Sequence, residues 1–352
     1  MRRALRSFAA LAFAALLSAG AAAAAREPNP LFAADEPIRL TIRGPFGAIA
    51  RNAPRSTDAH DASLALAGAA PETHPIRLSA RGITRRRREV CPFPPLRVEF
   101  TAAPTAASLF RGQRRLKLVT HCRPAELFQQ FMLLEYAAYQ LLNTLSPRSL
   151  RVRLAAIDYV ETGADRPFAS RLGFLVEDVD DAARRNGLVE IDTGNIFEAR
   201  LSPRDAARFA VFQYMIGNLD WSMDAGPRGA LCCHNSKLLG AAAGAANGLI
   251  PIPYDFDHSG LVDAPYATPP PQVAVATVRA RRYRGYCIHN EEARAAAAEA
   301  LAARPALLAV LAAIPQLSAR SRARASAYLG GFFEDVGSPE QVAQKLLRNC
   351  LR

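Results

Sequence analysis

Lysine is almost missing from this chain. Of its 44 basic residues only Lys117, Lys237 and Lys345 are lysines, and the rest are arginine, so each lysine draws a question about its purpose. No long apolar run occurs beyond the first 25 residues, which excludes a multi-spanning helical membrane protein. Six cysteines in 352 residues are too few for a disulfide scaffold, and none of their spacings resembles a zinc site. Cys91, Cys122, Cys232, Cys233, Cys287 and Cys350 can pair in 15 ways, and the sequence does not choose among them. The G-x-S-x-G and H-E-x-x-H patterns are absent, which removes two common hydrolase classes. Charged residues make up only 22% of the chain against 50% apolar, too little charge for a disordered protein and ample apolar surface for a core.

Residues 1–25 carry Arg2, Arg3 and Arg6, then an apolar stretch and an alanine-rich end. This is the pattern of a secretory signal peptide, and it predicts a periplasmic or secreted protein with no stable membrane span. The formal net charge of +12 suits an acidic or phosphorylated partner. Nucleic acid is not expected, because the arginine runs such as Arg85 to Arg88 lack interleaved aromatics.

Short alternating runs, PIRLTIRG, PIRLSARG, PLRVEF and RLKLVT, predict strands between residues 37 and 120, with a polar mobile loop over 51–75. A helix is predicted over 124–145, where Leu127, Phe131, Leu134, Ala138, Leu141 and Leu145 recur at steps of three and four. Strands follow over 150–160 and 171–176, the acidic EDVDD reads as a turn or linker, and from residue 181 onward helices dominate. Ser202-Pro203-Arg204-Asp205 is a helix start, and that helix stops at Gly217. The expected division is a signal peptide (1–25), N-terminal strands and the loop (26–75), a β-rich part with one internal helix (76–178) and a helical part (179–352).

Two groups of residues carry candidate chemistry. Glu135 lies on or beside the apolar face of the 124–145 helix, where a carboxylate needs a cation. Lys117, in the strand just before that helix, is the nearest one in chain order. A strand lysine held by a helix glutamate is the device that positions nucleotide phosphates in protein kinases. The second group follows Gly217: Asp220, then Asn235, then Asp255 and Asp257 in IPIPYDFDHSG. The last two, being two residues apart, share one side of an extended segment. One carboxylate to orient or deprotonate an acceptor hydroxyl, with an Asn and an Asp to hold Mg²⁺ or Mn²⁺, is a phosphoryl-transfer set. The basic stretch RARRYRGYC (279–287) stands where a substrate loop would be expected.

The segments SARGITRRRREVCPFPPLRVEF, RLGFLVEDVD and GNLDW…HN…IPIPYDFDHSG resemble the atypical HipA-like kinases, and more closely the kinase-like spore-coat protein H (CotH) group, over residues 75–290. The resemblance implies an α+β, two-lobed protein-kinase-like fold with a β-rich N-lobe holding one internal helix and an α-rich C-lobe. It implies ATP and Mg (or Mn) as cofactors and a protein or glycan hydroxyl, an acidic one among those considered, as acceptor in a bacterial envelope. Lys117 would hold the nucleotide phosphates, partnered by Glu135, with Arg81 and Gly82 lying over them. Asp220 would be the catalytic aspartate, and Asn235, Asp255 and Asp257 the metal residues. Two alternatives stand beside this reading, a catalytically inactive pseudokinase-like scaffold and a nucleotidyl (AMP) transferase. The chain departs from the pattern in lacking G-x-G-x-x-G and in the long insert between Asp220 and Asn235.

Overall fold

A computed structural model describes residues 29–352, so the predicted signal peptide lies outside the described residues. Seven strands and two helices occupy the first half of it: β1 (Ile38–Gly44), α1 (Phe46–Asn52), β2 (His60–Ala67), β3 (Glu72–Ala80), β4 (Leu96–Phe100), β5 (Arg115–Val119), α2 (Glu126–Leu145), β6 (Val152–Glu161) and β7 (Ala169–Val176). The strands run in the order β1-β2-β3-β4-β5-β7-β6, and β6 returns to pair with β1 in parallel, Ile38 opposite Ala155 and Ile42 opposite Tyr159. The sheet is therefore a closed barrel of mixed direction.

Closure follows from the alternation. On successive strands Leu40 and Ile42, Leu64 and Leu66, Ile76 and Leu78, Leu96 and Val98, and Leu116 and Leu118 all point inward and are buried together. A sheet left open between β1 and β6 would expose both that apolar face and two unpaired edges. The segment expected as a mobile loop over 51–75 instead supplies β2 and the start of β3. Strands β6 and β7 are buried on both faces, because α2 lies across their outer side against Leu172, Phe174 and Val176.

The second half contains α3 (Val179–Arg185), β8 (Val189–Ile191), α4 (Pro203–Ile216), β9 (Ser236–Gly240), β10 (Ile250–Pro253), α5 (Asn290–Ala302), α6 (Arg304–Ala313), α7 (Ala319–Asp335) and α8 (Pro339–Lys345). The EDVDD segment expected as a linker begins α3, with Asp178 accepting from the Asp180 amide as its cap. Strands β8, β9 and β10 form a separate three-stranded antiparallel sheet, β9 in the middle. No single helix among the described residues is long and apolar enough to cross a membrane.

The two-lobed kinase-like fold is thus overturned. In place of a β-rich N-lobe and a helical C-lobe stand a closed seven-stranded barrel, with α1 and α2 among its strands, and a half in which the other six of the eight α-helices of the described residues accompany a second sheet. The expectation failed because it treated β1 and β2 as a preface to the sheet, whereas β1 is the strand that closes it. Within α2 the helical period was right for Phe131, Leu134, Ala138 and Leu141, which are buried, but Leu127 in the first turn is 57% exposed.

All six cysteines are paired: Cys91 with Cys122, Cys232 with Cys233, and Cys287 with Cys350. The first clips the segment between β3 and β4 to the end of β5. The third ties the stretch before α5 to the C-terminal tail, which also pairs through Leu351 N–H to Gly285 O and Cys287 N–H to Leu351 O.

Candidate functional site

Strand β5 sets Lys117 between Arg97 of β4 and Val176 of β7. Arg81 and Gly82 follow β3, and Gly82 turns the chain at a φ of 85°, a left-handed value that glycine adopts without strain. Beyond β10 the chain passes through Tyr254 into Asp255. The Asp255 amide donates to the Tyr139 hydroxyl of α2 at 2.9 Å, and the Tyr254 amide donates to the Asn235 carbonyl at 3.1 Å. These few bonds draw the barrel, α2 and the second sheet to one cleft.

Two adjoining cavities share Arg81, Gly82 and Tyr254 as a common wall. The smaller, about 320 Å³, is basic, with Arg97, Arg115, Lys117 and Lys237 around it. Arg115 is held by Asp178 at 2.7 Å and Lys237 by Glu190 at 2.7 Å. Among the described residues Lys117 and Arg81 make no ion pair within 4 Å. The Lys117 ammonium instead lies 4.5 Å from the centre of the Tyr254 ring, a cation–π contact. Burial, with Arg81 beside it, pulls Lys117 down to about 8.

The larger cavity, about 880 Å³, holds Asp220, His234, Asn235, Asp255 and Asp257. Helix α4 ends at Gly217 (φ 63°), where a Cβ would lie 1.9 Å from the Tyr328 hydroxyl, and this sharp stop launches the Asp220 loop. Asp220 is held from four sides. Its amide donates to Asn218 Oδ1 at 3.1 Å, and its Oδ1 lies 2.7 Å from His234 Nε2. Asn235 Nδ2 donates to its carbonyl at 2.7 Å and to its Oδ2 at 3.1 Å. Arg284 donates to the flanking carbonyls of Leu219 and Trp221 at 2.7 and 2.8 Å. The hydrogen bond to Asp220 raises His234 and favours the imidazolium.

The long insert between Asp220 and Asn235 loops outward and closes on itself. Ser222 N–H bonds His234 O, and His234 N–H bonds Ala225 O, so the chain returns beside its starting point. The insert that departs from the expected pattern thus leaves Asn235 in contact with Asp220.

Glu135 does not pair with Lys117. Its partner is Arg85, whose Nη1 and Nη2 reach the two carboxylate oxygens at 2.9 and 3.3 Å. The same guanidinium contacts Asp255 Oδ1 at 2.7 Å and Asp257 Oδ2 at 3.1 Å. Glu135, Asp255 and Asp257 bring oxygens within 4.8 Å of one another, a spacing that suits a metal ion, and Arg85 stands among them as the resident cation. Burial opposes the charge on Arg85, yet Asp257 and Glu135 outweigh it and hold Arg85 well above its ordinary range. Burial raises Glu135 and Asp257, whereas Asp255 is lowered: its own burial is outweighed by Arg85 and Arg81. Asp255, with its side chain 28% exposed, is the member of the triad that opens most onto the cavity, while Glu135 and Asp257 are sealed at 2% and 6%. Hard oxygen donors of this kind, with an ionised Asp255 lining the same cavity as Asn235 and Asp220, suit Mg²⁺ or Mn²⁺ by type. Asp257 is spent on Arg85 and Tyr266.

The basic stretch 279–287 is a strap under the site. Arg279 reaches the Gly260 carbonyl and Asp263, Arg281 the carbonyls of Met215 and Tyr328, and Arg284 stacks on Trp221 at 4.7 Å. Arg85, His234 and Arg284 are the site residues that sequence reasoning passed over. Arg85 carried a usable signal, since a guanidinium fork suits a buried carboxylate cluster better than an ammonium does. No protein-family model and no curated protein matches this chain.

Proposed function

We propose that the protein is a metal-dependent phosphotransferase of an oxidising compartment, moving the terminal phosphate of a nucleotide to a hydroxyl of a protein or glycan. One observation carries the reading: a basic cavity with Arg81 and Lys117, both without an ion pair among the described residues, adjoins an acidic one with Asp220, Asn235 and Asp255. The basic side suits a polyphosphate tail, since an ammonium or guanidinium without a carboxylate gains a charge-assisted bond from an incoming anion. The acidic side supplies the rest. Asp220 accepts the proton of the acceptor hydroxyl, the hydroxyl oxygen bonds to phosphorus, and the anhydride oxygen leaves with the electron pair to complete the nucleoside diphosphate. A divalent ion held by Asp255 and Asn235 would neutralise phosphate charge. Three disulfides support export, consistent with the basic and apolar N-terminus.

The test is calorimetric titration of the disulfide-bonded protein with ATP, with and without Mg²⁺, beside Asp255→Ala. Metal-dependent binding that the variant loses supports the reading, and the mass gained by an acceptor then separates phosphate from AMP transfer. Arg85 favours the alternative of a non-catalytic scaffold, because it already fills the acidic triad. ATP binding that ignores both Mg²⁺ and Asp255 would decide for that alternative.

A further inference from the structure

Half of the large apolar side chains left exposed among the described residues stand on segments beside the Asp220 loop. They are Phe197 at 79%, Leu231 at 54%, Ile288 at 62% and Leu351 at 39%, four of eight. The segments that carry them are tied together. Ile196 N–H donates to Asp224 O and Cys232 N–H to Thr193 O, each at 2.9 Å, and Gly226 N–H donates to Asn195 Oδ1 at 3.1 Å. Tyr286 faces Asp224 and Glu198, and Leu351 is bonded to Gly285 and Cys287. Single exposed apolar residues are ordinary on a protein, whereas four on segments bonded to one another mark an interaction surface.

Two arginines on the same segments have nothing to hold. Arg228 precedes Leu231 in its loop, and Arg282 precedes Ile288 in the strap. Both are exposed and make no ion pair or side-chain hydrogen bond among the described residues. The nearby carboxylates are less free: Asp192 lies 3.8 Å from Lys237, Asp224 bonds to Ser222, and Glu198 is half-buried against Tyr286. The free charge at this surface is therefore positive. A second copy docked by twofold symmetry would set arginine against arginine, while an acidic partner would satisfy both.

The surface also runs into the cleft. Ala225, Gly226 and Pro227 line the larger cavity with Asp220, and Arg228 and Leu231 follow them on the same loop. Arg284 lines that cavity too, four residues before Ile288. A polypeptide can lie across the patch and send a neighbouring residue into the cavity, which the surface of a bilayer does not do.

We propose that Phe197, Leu231, Ile288 and Leu351, flanked by Arg228 and Arg282, dock an acceptor protein through a segment that combines large apolar side chains with Asp or Glu. Its apolar side chains cover the patch, its carboxylates pair with the two arginines, and a serine or threonine beyond the segment reaches Asp220. The proposal rests on the phosphotransferase reading for what happens at Asp220, but the docking itself is measurable without nucleotide.

The experiment is fluorescence anisotropy on the full disulfide-bonded protein with fluorescein-labelled short peptides. The first peptide is built from leucine, phenylalanine and glutamate. In the others glutamine replaces its glutamates, lysine replaces its glutamates, or serine replaces its leucines and phenylalanines. The first is expected to bind at least about tenfold tighter than each of the other three. Phe197→Ser with Leu231→Ser should weaken it by about tenfold or more, and so should Arg228→Glu with Arg282→Glu. The charge reversal should also tighten the lysine peptide, a gain that a misfolded variant does not give. All four positions are exposed, so the urea midpoints are expected to stay at the wild-type value. Failure of the first peptide to bind overturns the proposal, as does equal binding of the glutamine or serine version, or binding unchanged in both double variants. Vesicles of phosphatidylcholine and phosphatidylglycerol that capture the protein through these residues, while no peptide binds, would assign the patch to a membrane and overturn it. A dimer in analytical ultracentrifugation that Phe197→Ser dissolves would assign it to a second copy and overturn it too. If the first peptide docks as stated and a serine added beyond it never gains phosphate, the docking site stands and the phosphotransferase reading falls. If Mg-dependent ATP binding holds and no peptide docks, this proposal falls alone.

Discussion

Two cations face the same cleft on opposite terms. Arg85 is 8% exposed and surrounded by three carboxylates, with contacts from both terminal nitrogens and Nε. Lys117, on the other side of the shared wall, has an aromatic ring and the unpaired Arg81 for company, and no carboxylate within ion-pair reach among the described residues. A guanidinium so fully satisfied is part of the architecture, and an incoming anion has nothing to gain from it. An ammonium left unsatisfied has been desolvated without return in the empty protein, and a bound anion supplies what is missing. The contrast separates what holds the cleft together from what the cleft is open to.

The largest effect is expected where the comparison is broken from the structural side. Arg85→Met leaves Glu135 and Asp257 as buried carboxylates without a counter-ion, and should cost about 3–5 kcal/mol of stability, read from the urea midpoint. A loss below about 1 kcal/mol would mean that the triad is not held by Arg85. Lys117→Met tests the other side. It should leave stability unchanged or improved while weakening tripolyphosphate binding by about 2 kcal/mol, roughly thirtyfold, as for a lost charge-assisted bond. Destabilisation with intact anion binding would reverse the two roles.

The smallest effect is a matter of pH. Lys117 is held at about 8 when folded, below its ordinary 10.5. Below pH 8 it is charged in both folded and unfolded chains, and its desolvation cost is present in full. As the pH rises from 8 towards 10.5 the folded form releases the proton first, so the unfolded chain binds more protons and stability gains with pH relative to Lys117→Met. Tripolyphosphate affinity should fall over the same window in the wild type and stay flatter in the variant. Parallel curves for the two proteins would show that another group governs the pH response.

Most of the barrel strands were legible one by one, several of them by alternation of apolar and polar residues, but β2 was read as a mobile loop and β8 and β9 were lost in a stretch read as helical. How the sheet ends was not. Closure depends on β1 meeting β6 across more than a hundred residues, and nothing in PIRLTIRG says which edge it will pair with. In the site, Asp220, Asn235, Asp255 and Asp257 were readable from their order and types, and the cleft does gather them. The Lys117–Glu135 pair misled because it was drawn from adjacency in the chain. A buried carboxylate on α2 needs a cation in space, and the one it found comes 50 residues earlier, from a run of four arginines that had been weighed only against nucleic acid. His234 and Arg284 carried no local signal at all, since only the folded loop brings them to Asp220.

The tail of the chain has a mechanical consequence. Cys350 is bonded to Cys287, and Leu351 clasps Gly285, the residue next to the Arg284 that grips both carbonyls around Asp220. Any pull on residues 350 and 351 is therefore transmitted through one disulfide, two backbone hydrogen bonds and one guanidinium to the candidate catalytic loop. Production in a reducing cytoplasm would leave that linkage without its disulfide. Material made without the disulfide presents an Asp220 loop whose clamp has lost that anchor, so the choice of host belongs among the controls of every assay on this protein.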